Sequence, residues 1–210
     1  MNSYRSSLTV TLIAAVIAPC VGLAQAADPA PQIPASVTQS VIGPYALSGV
    51  RGRAAVNEAA GDSNAQSSAA ALVVGTGLSS ATVNAMQNTV GAAGNQPGAA
   101  SASIGDHAFA NATGLVSINQ TSGVANAQAN SATLGVGSGV EIVTDSVLAA
   151  TASNAGPAGD GTTKTSRQAV SIADTAFDGA RGLVQVNQSA GSGNATANTF
   201  ALRVQPGVTP

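Results

Sequence analysis

Cysteine, tryptophan and histidine are nearly missing from this chain of 210 residues, which holds one Cys, no Trp and one His. The single Cys20 sits near the N-terminus, so no intramolecular disulfide can staple the chain, and the single His107 excludes a zinc-type site by counting. Charged residues make up 8%, against about a quarter in an ordinary soluble domain. With seven Lys and Arg against nine Asp and Glu, there is no basic footprint for nucleic acid. Low net charge combined with 44% apolar residues also excludes the disordered signature. What remains is abundant: Ala, Gly, Asn, Ser, Thr and Val, with aromatics at 2%. A surface of that composition is polar through amides and hydroxyls.

The N-terminus reads as an export signal over residues 1–26. Arg5 supplies the positive flank, Leu8 to Val21 the apolar stretch, and Ala24-Gln25-Ala26 a small-x-small cleavage site, so the mature chain is expected to start near Ala27. The apolar stretch is too short for a membrane-spanning helix. Cys20 offers a lipid-attachment position as the alternative, with Pro19 in front of it a poor fit. Removal of the signal leaves six Lys and Arg against nine Asp and Glu, and no thiol.

Repetition organises the rest. GLVSINQTSGVANAQANSATLGVG from Gly114 is matched by GRAAVNEAAGDSNAQSSAAALVVG from Gly52 and GLVQVNQSAGSGNATANTFALRV from Gly182. Anchored on Asn57, Asn119 and Asn187, the copies are 62 and 68 residues apart. Around those anchors Gly61, Gly123 and Gly191 recur in register, as do Asn64, Asn126 and Asn194, and Leu72, Leu134 and Leu202. Upstream the match includes Ile42, Ile104 and Ile172, then Leu47, Phe109 and Phe177, giving a unit of 34 residues. The expected organisation is a Pro-rich extended leader over 27–41, repeat 1 over 42–75, connector 1 over 76–103, repeat 2 over 104–137, connector 2 over 138–171, repeat 3 over 172–205 and a tail over 206–210. The connectors carry the Gly, Pro, Asn and Ser of flexible linkers, although the front of connector 1, LSSATVNAM, has a faint counterpart in connector 2 and reads as a further strand. The length difference falls in the connectors and never inside a repeat.

Within each copy the pattern is strand, turn, strand. Val116, Ile118 and Gln120 alternate with Leu115, Ser117 and Asn119; Thr121 to Val124 reads as the turn; and Asn126, Gln128 and Asn130 alternate with Ala127, Ala129 and Ser131 on the return. Leu115, Val116, Ile118, Leu134 and Val136 are too few large apolar residues to order one copy alone, so the copies must stack, amide on amide and glycine on glycine. The expected fold class is all-β: a three-layer β-solenoid or cross-β stack of imperfect strand-turn-strand repeats with flexible connectors, both ends of which are templates for a further molecule. The residues expected to carry self-assembly are Asn57, Gly61, Asn64 and Leu72 in the first copy; Ile118, Asn119, Gly123, Asn126, Gln128, Asn130 and Leu134 in the second; and Val186, Asn187, Gly191, Asn194, Asn198 and Leu202 in the third. The first copy departs most, with Arg51, Arg53, Glu58 and Asp62 at positions that are neutral in the second and Ser68 in place of Asn130. Charge of that kind slows edge pairing; sequence drift explains it equally well.

Three imperfect copies of V-N-x-x-x-G-x-x-N, set between two Gly/Ala/Ser connectors behind a secretion signal, resemble the fibre subunits of the Fap system of bacterial functional amyloids. The match rests on Val56-Asn57, Ile118-Asn119 and Val186-Asn187 with their trailing Gly and Asn residues, and it covers about half of the mature chain. The resemblance implies export through an outer-membrane pore, partnership with other fibre subunits, and polymerisation outside the cell into cross-β fibres of a biofilm matrix. Some members of that family end in a paired-cysteine motif, whereas this chain ends QPGVTP, and the roles of major subunit, minor subunit and nucleator all stay open.

Other chemistry finds no support in the sequence. His107 reads as a solvated turn residue, and Asp106 and Asp174 recur one per layer rather than converging on a cleft. GTGLSS lacks the Lys of a phosphate loop, and the glycine-aspartate repeat of calcium-binding coils does not occur. An enzyme, a cofactor and a small-molecule substrate are therefore not expected. The competing reading is a monomeric β-solenoid adhesin or surface-binding module, which needs a regular Thr row. A transmembrane barrel needs aromatic girdles, and the mature chain offers only Tyr45, Phe109, Phe177 and Phe200.

Overall fold

The alternating runs form strands, and the computed structural model of the chain is all-β, with no helix among the described residues. Residues 36–75, 79–83, 87–91, 97–137, 140–143, 150–154 and 166–205 are described. The expected signal, most of the leader, the glycine-rich centres of both connectors and the tail lie outside them.

Thirteen strands follow in order: β1 (Val37–Ile42), β2 (Arg51–Ala60), β3 (Ala65–Val74), β4 (Ser79–Thr82), β5 (Gln87–Gly91), β6 (Ala99–Ile104), β7 (Thr113–Val124), β8 (Ala127–Val136), β9 (Val140–Val143), β10 (Ala150–Asn154), β11 (Arg167–Ile172), β12 (Arg181–Ser192) and β13 (Ala195–Val204). They pair in parallel as β1-β6-β11, β2-β7-β12 and β3-β8-β13, with β4-β9 and β5-β10 formed from connector residues. In each three-stranded sheet the middle strand comes from the second copy. Residues 36–75, 97–137 and 166–205 thus form layers 1, 2 and 3. In the three-stranded sheets register follows the repeat spacing: Ile42 faces Ile104 and Ile172, and Asn57 faces Asn119 and Asn187. Pairing starts at Val37, five residues upstream of the unit read from the sequence, so each layer holds three strands rather than two.

That third strand decides where the core lies. The even residues of β7, Val116 and Ile118, pack with Ile42, Ile104, Phe109 and Ala112 into an apolar core between β7 and the β1-β6-β11 sheet. Its odd residues, Ser117, Asn119 and Thr121, face β8 and its neighbours, where Asn130 Nδ2 donates to Asn119 Oδ1 at 3.1 Å. β7 is therefore buried on both faces, as parallel strands usually are. Of the five large apolar residues read from the second copy, Val116 and Ile118 are buried, while Leu115, Leu134 and Val136 are only half-buried at the margins.

Two turns differ from the sequence reading. Thr121 to Val124 belongs to β7, and the chain reverses one step later, at Ala125, whose φ is 58°. Ser63 (56°) and Gly193 (73°) hold the same place in the other layers. A turn needing a left-handed residue explains the shift, since Gly123 bends the strand without ending it. The second feature is the run 43–50, repeated at 105–112 and 173–180. In layer 2, Ala108, Ala110 and Ala112 N donate to Gly105, His107 and Phe109 O, three successive four-residue turns with positive φ at His107, Phe109 and Asn111. That is the φ signature of chained type II turns. Bulky residues seldom adopt it, and here Phe109 and Phe177 do so while stacking at 5.3 Å between ring centroids.

Candidate assembly surface

Side-chain amides run through the three layers in columns. Asn187 Nδ2 donates to Asn119 Oδ1 (3.0 Å) and Asn119 Nδ2 to Asn57 Oδ1 (2.9 Å). Asn194 Nδ2 donates to Asn126 Oδ1 (2.8 Å), and Asn126 Nδ2 to Asn64 Oδ1 (2.9 Å). Asn198 Nδ2 reaches Asn130 Oδ1 at 3.1 Å, while Ser68 in layer 1 bonds Asn57 Oδ1 and receives Asn119 Nδ2. Gln66 Nε2 reaches Gln128 Oε1 at 2.9 Å, and Thr196 occupies that column in layer 3. Some amides also tie strands within their own layer: Asn130 Nδ2 donates to Ile118 O and Asn198 Nδ2 to Val186 O. Inside layer 2 these side chains are fully buried, so every donor and acceptor must be matched.

The remaining sequence-derived residues also fall in columns. Ile118, with Val56 and Val186 above and below, lies in the apolar core. Leu72, Leu134 and Leu202 line up at the margin, with Leu72 66% and Leu202 43% exposed. Gly61, Gly123 and Gly191 share positive φ, and a Cβ on Gly61 or Gly123 would run into the glycine carbonyl of the layer above. Gly52, Gly114 and Gly182 form a second column facing the other way: a Cβ on Gly114 or Gly182 would strike the carbonyl of the layer beneath, whereas one on Gly52 meets nothing within 4 Å.

The sequence reading assigned no role to several members. Gln120 and Gln188 form another amide column, with Gln188 Nε2 donating to Gln120 Oε1 at 2.8 Å and Glu58 as their layer-1 counterpart. Thr121 and Ser189 hydroxyls bond at 2.9 Å. The column of Leu47, Phe109 and Phe177 was visible as a recurrence, and its stacking was not. His107 stacks on Tyr45 at 5.1 Å, and Asp106 Oδ1 accepts from Thr175 Oγ1 at 3.3 Å; both sit in the chained turns.

The two ends of the stack differ in kind from its middle. Large apolar side chains that stay exposed among the described residues are Val37, Val41, Tyr45, Leu47, Leu72 and Val74 in layer 1, and Val170, Ile172, Val184, Leu202 and Val204 in layer 3. Layer 2 contributes none. Charge is divided the same way: layer 1 carries Arg51, Arg53, Glu58 and Asp62, layer 3 carries Arg167, Asp174, Asp178, Arg181 and Arg203, and residues 97–137 contain Asp106 alone. Layer 3 also keeps an open groove between β12 and β13, lined by Leu183, Gln185, Ala197 and Asn198 among others.

Parallel, in-register strands tied by buried amide ladders and ended by unpaired edges define a protein of amyloid type. The family model for the functional amyloid protein FapB/FapC family matches residues 21–205, and the chain belongs to that family. No solved structure matches the chain.

Proposed function

We propose that the protein is a secreted subunit of extracellular amyloid fibres in a biofilm matrix, in which each molecule is a three-layer β-solenoid and adds head to tail to the next. Layer 3 of one copy receives layer 1 of another in the register already used inside the molecule. The observation that carries this reading is the confinement of exposed apolar residues to the two outer layers. In that register Leu202 falls on Leu72, Val204 on Val74 and Phe177 on Leu47 of the next copy, so exposed side chains cover one another. A layer-1-on-layer-1 contact would close a dimer, and only the unlike pairing propagates. A monomeric solenoid would need its ends capped, and the exposure of Leu72, Val74 and Leu202 argues against that reading. Copies of itself are then the principal partner, with other fibre subunits and an outer-membrane export pore as the partners its secretion calls for.

The test is assembly of the mature chain followed by thioflavin fluorescence and fibre diffraction, with reflections expected near 4.7 Å and 10 Å. Gly52→Ala sharpens it. Its Cβ touches nothing among the described residues of the isolated stack, where the φ of 97° is the strain it meets, yet in the polymer it would also strike Gly182 of the neighbouring copy as Gly114 would strike Gly52. Fibre formation should be lost in that variant. Wild-type protein that stays monomeric, or a Gly52→Ala variant that polymerises at the wild-type rate, would refute the head-to-tail reading.

A further inference from the structure

We infer that Glu58 restrains the junction between copies by placing a carboxylate where the stack calls for a side-chain amide. This rests on the head-to-tail reading above. The column in question is Glu58, Gln120 and Gln188. In layer 3 the amide does two things, the first of which it shares with layer 2. Its nitrogen ties β7 or β12 to the neighbouring sheet, Gln120 Nε2 to Ser103 O at 2.9 Å and Gln188 Nε2 to Ser171 O at 3.0 Å. The Gln188 nitrogen also bonds the layer beneath through Gln120 Oε1. Gln188 Oε1, in the last layer of the column, is buried and has no hydrogen-bond partner among the described residues.

The internal repeat shows what satisfies that atom. Gln120 Oε1 accepts from the amide one layer further on, so Gln188 Oε1 lacks only the amide of a fourth layer. In the polymer the fourth layer is layer 1 of the next copy, and the residue arriving there is Glu58. A carboxylate has no N–H to give. Nor is it free to turn away, because Glu58 Oε1 accepts from Ser40 Oγ at 2.9 Å and from the Val41 backbone N at 2.6 Å. Arg53, five residues along the same strand, donates to Ser68 O and leaves Glu58 without its charge. The junction therefore sets acceptor against acceptor, whereas the Gln188–Gln120 junction inside the molecule is matched donor to acceptor. Copies associate less readily than layers within one copy, a useful property for a subunit that must cross a membrane before it polymerises.

Glu58→Gln isolates the effect, since it keeps the oxygen used by Ser40 and Val41 and adds the missing donor. The lag before fibre growth should shorten, and the soluble concentration left at equilibrium should fall about tenfold, the size expected for one hydrogen bond gained at a site where two acceptors had met. Glu58→Ala removes the charge without supplying a donor, and its lag should be no shorter than wild type. Equal acceleration by both variants would assign the effect to net charge and overturn the inference. A Glu58→Gln lag equal to wild type would overturn it too, while leaving wild-type fibres as support for the head-to-tail reading. Wild-type protein that forms no fibres removes both.

Discussion

Asn126→Asp changes one nitrogen to oxygen at the most enclosed amide of the stack, and its consequences can be worked out bond by bond. Asn126 is fully buried. Its Oδ1 accepts from Asn194 N at 3.0 Å and Asn194 Nδ2 at 2.8 Å, which an aspartate retains. Its Nδ2 donates to Asn64 Oδ1 at 2.9 Å and Gly191 O at 3.0 Å, and both bonds become contacts between acceptors. Each buried acceptor left without a donor costs about 1–3 kcal/mol, so the loss is about 2–6 kcal/mol before the buried charge is counted. At 1.4 kcal/mol per decade, the folded-to-unfolded ratio should fall between about 30-fold and about 10⁴-fold near pH 7, since these bonds lie inside one molecule and weaken it in solution and in the fibre alike. The introduced carboxyl would have its pKa raised by burial above the ~3.9 of a free aspartate. The ionisation penalty is therefore absent below ~3.9, grows as pH rises, and is complete above the raised value. Acid should restore stability in part, because the neutral carboxyl donates one bond again. Asn194→Asp, where the side chain is half-buried and the second bond to Ala190 O is 3.4 Å, should shift the equilibrium less. The guanidinium concentration for half-dissolution of fibres at about pH 3 and about pH 7 measures both. An Asn126→Asp variant with the wild-type guanidinium midpoint near pH 7, or one indifferent to pH, would refute the amide-ladder reasoning.

Two further substitutions test the turns. Ser63→Gly and Ala125→Gly place in layers 1 and 2 the residue that layer 3 already has at Gly193; with φ near 57° at both sites, each should stabilise by about 0.5–1 kcal/mol, read as a higher guanidinium concentration for half-dissolution of fibres. Phe109→Ala removes a ring that is fully buried and stacked on Phe177, leaving the left-handed backbone strain in place; a loss of about 3–5 kcal/mol in the same dissolution assay is expected, and a loss under 1 kcal/mol would mean that the ring column carries little.

The layering was legible from the anchors alone. Asn57, Asn119 and Asn187 were in register on the page, and the structure pairs them residue by residue. The third strand was not legible, because VTQSVI, AASASI and RQAVSI share little beyond a terminal isoleucine, and backbone hydrogen bonds in a parallel ladder do not depend on side-chain identity. Without that strand the even face of β7 had no partner, so Gln120 could not be seen to reach Ser103 across it. The reversal was placed at Thr121 to Val124 because glycine marks turns; the true reversal uses alanine and serine at positive φ, which stacking enforces against local preference. The connectors were read mainly as linkers. Their pairing of Gln87–Gly91 with Ala150–Asn154 has no counterpart in similarity between those two segments.

A linear crystal has bulk and surface, and three layers are the fewest that contain both. Layer 2 is bulk: it carries one carboxylate, no exposed large apolar side chain, and buried amides bonded to the layers on either side. Layers 1 and 3 are surface, and hold nine of the ten charged residues of the three layers. Under the proposed head-to-tail assembly, each copy brings an already completed interior to a growing end, and growth converts two surfaces into bulk at each step without building bulk anew. A two-layer relative would have no bulk before joining the fibre. In this chain, the sequence freedom to tune solubility and growth rate is concentrated in the outer copies, and the middle copy is held to what the fibre interior accepts.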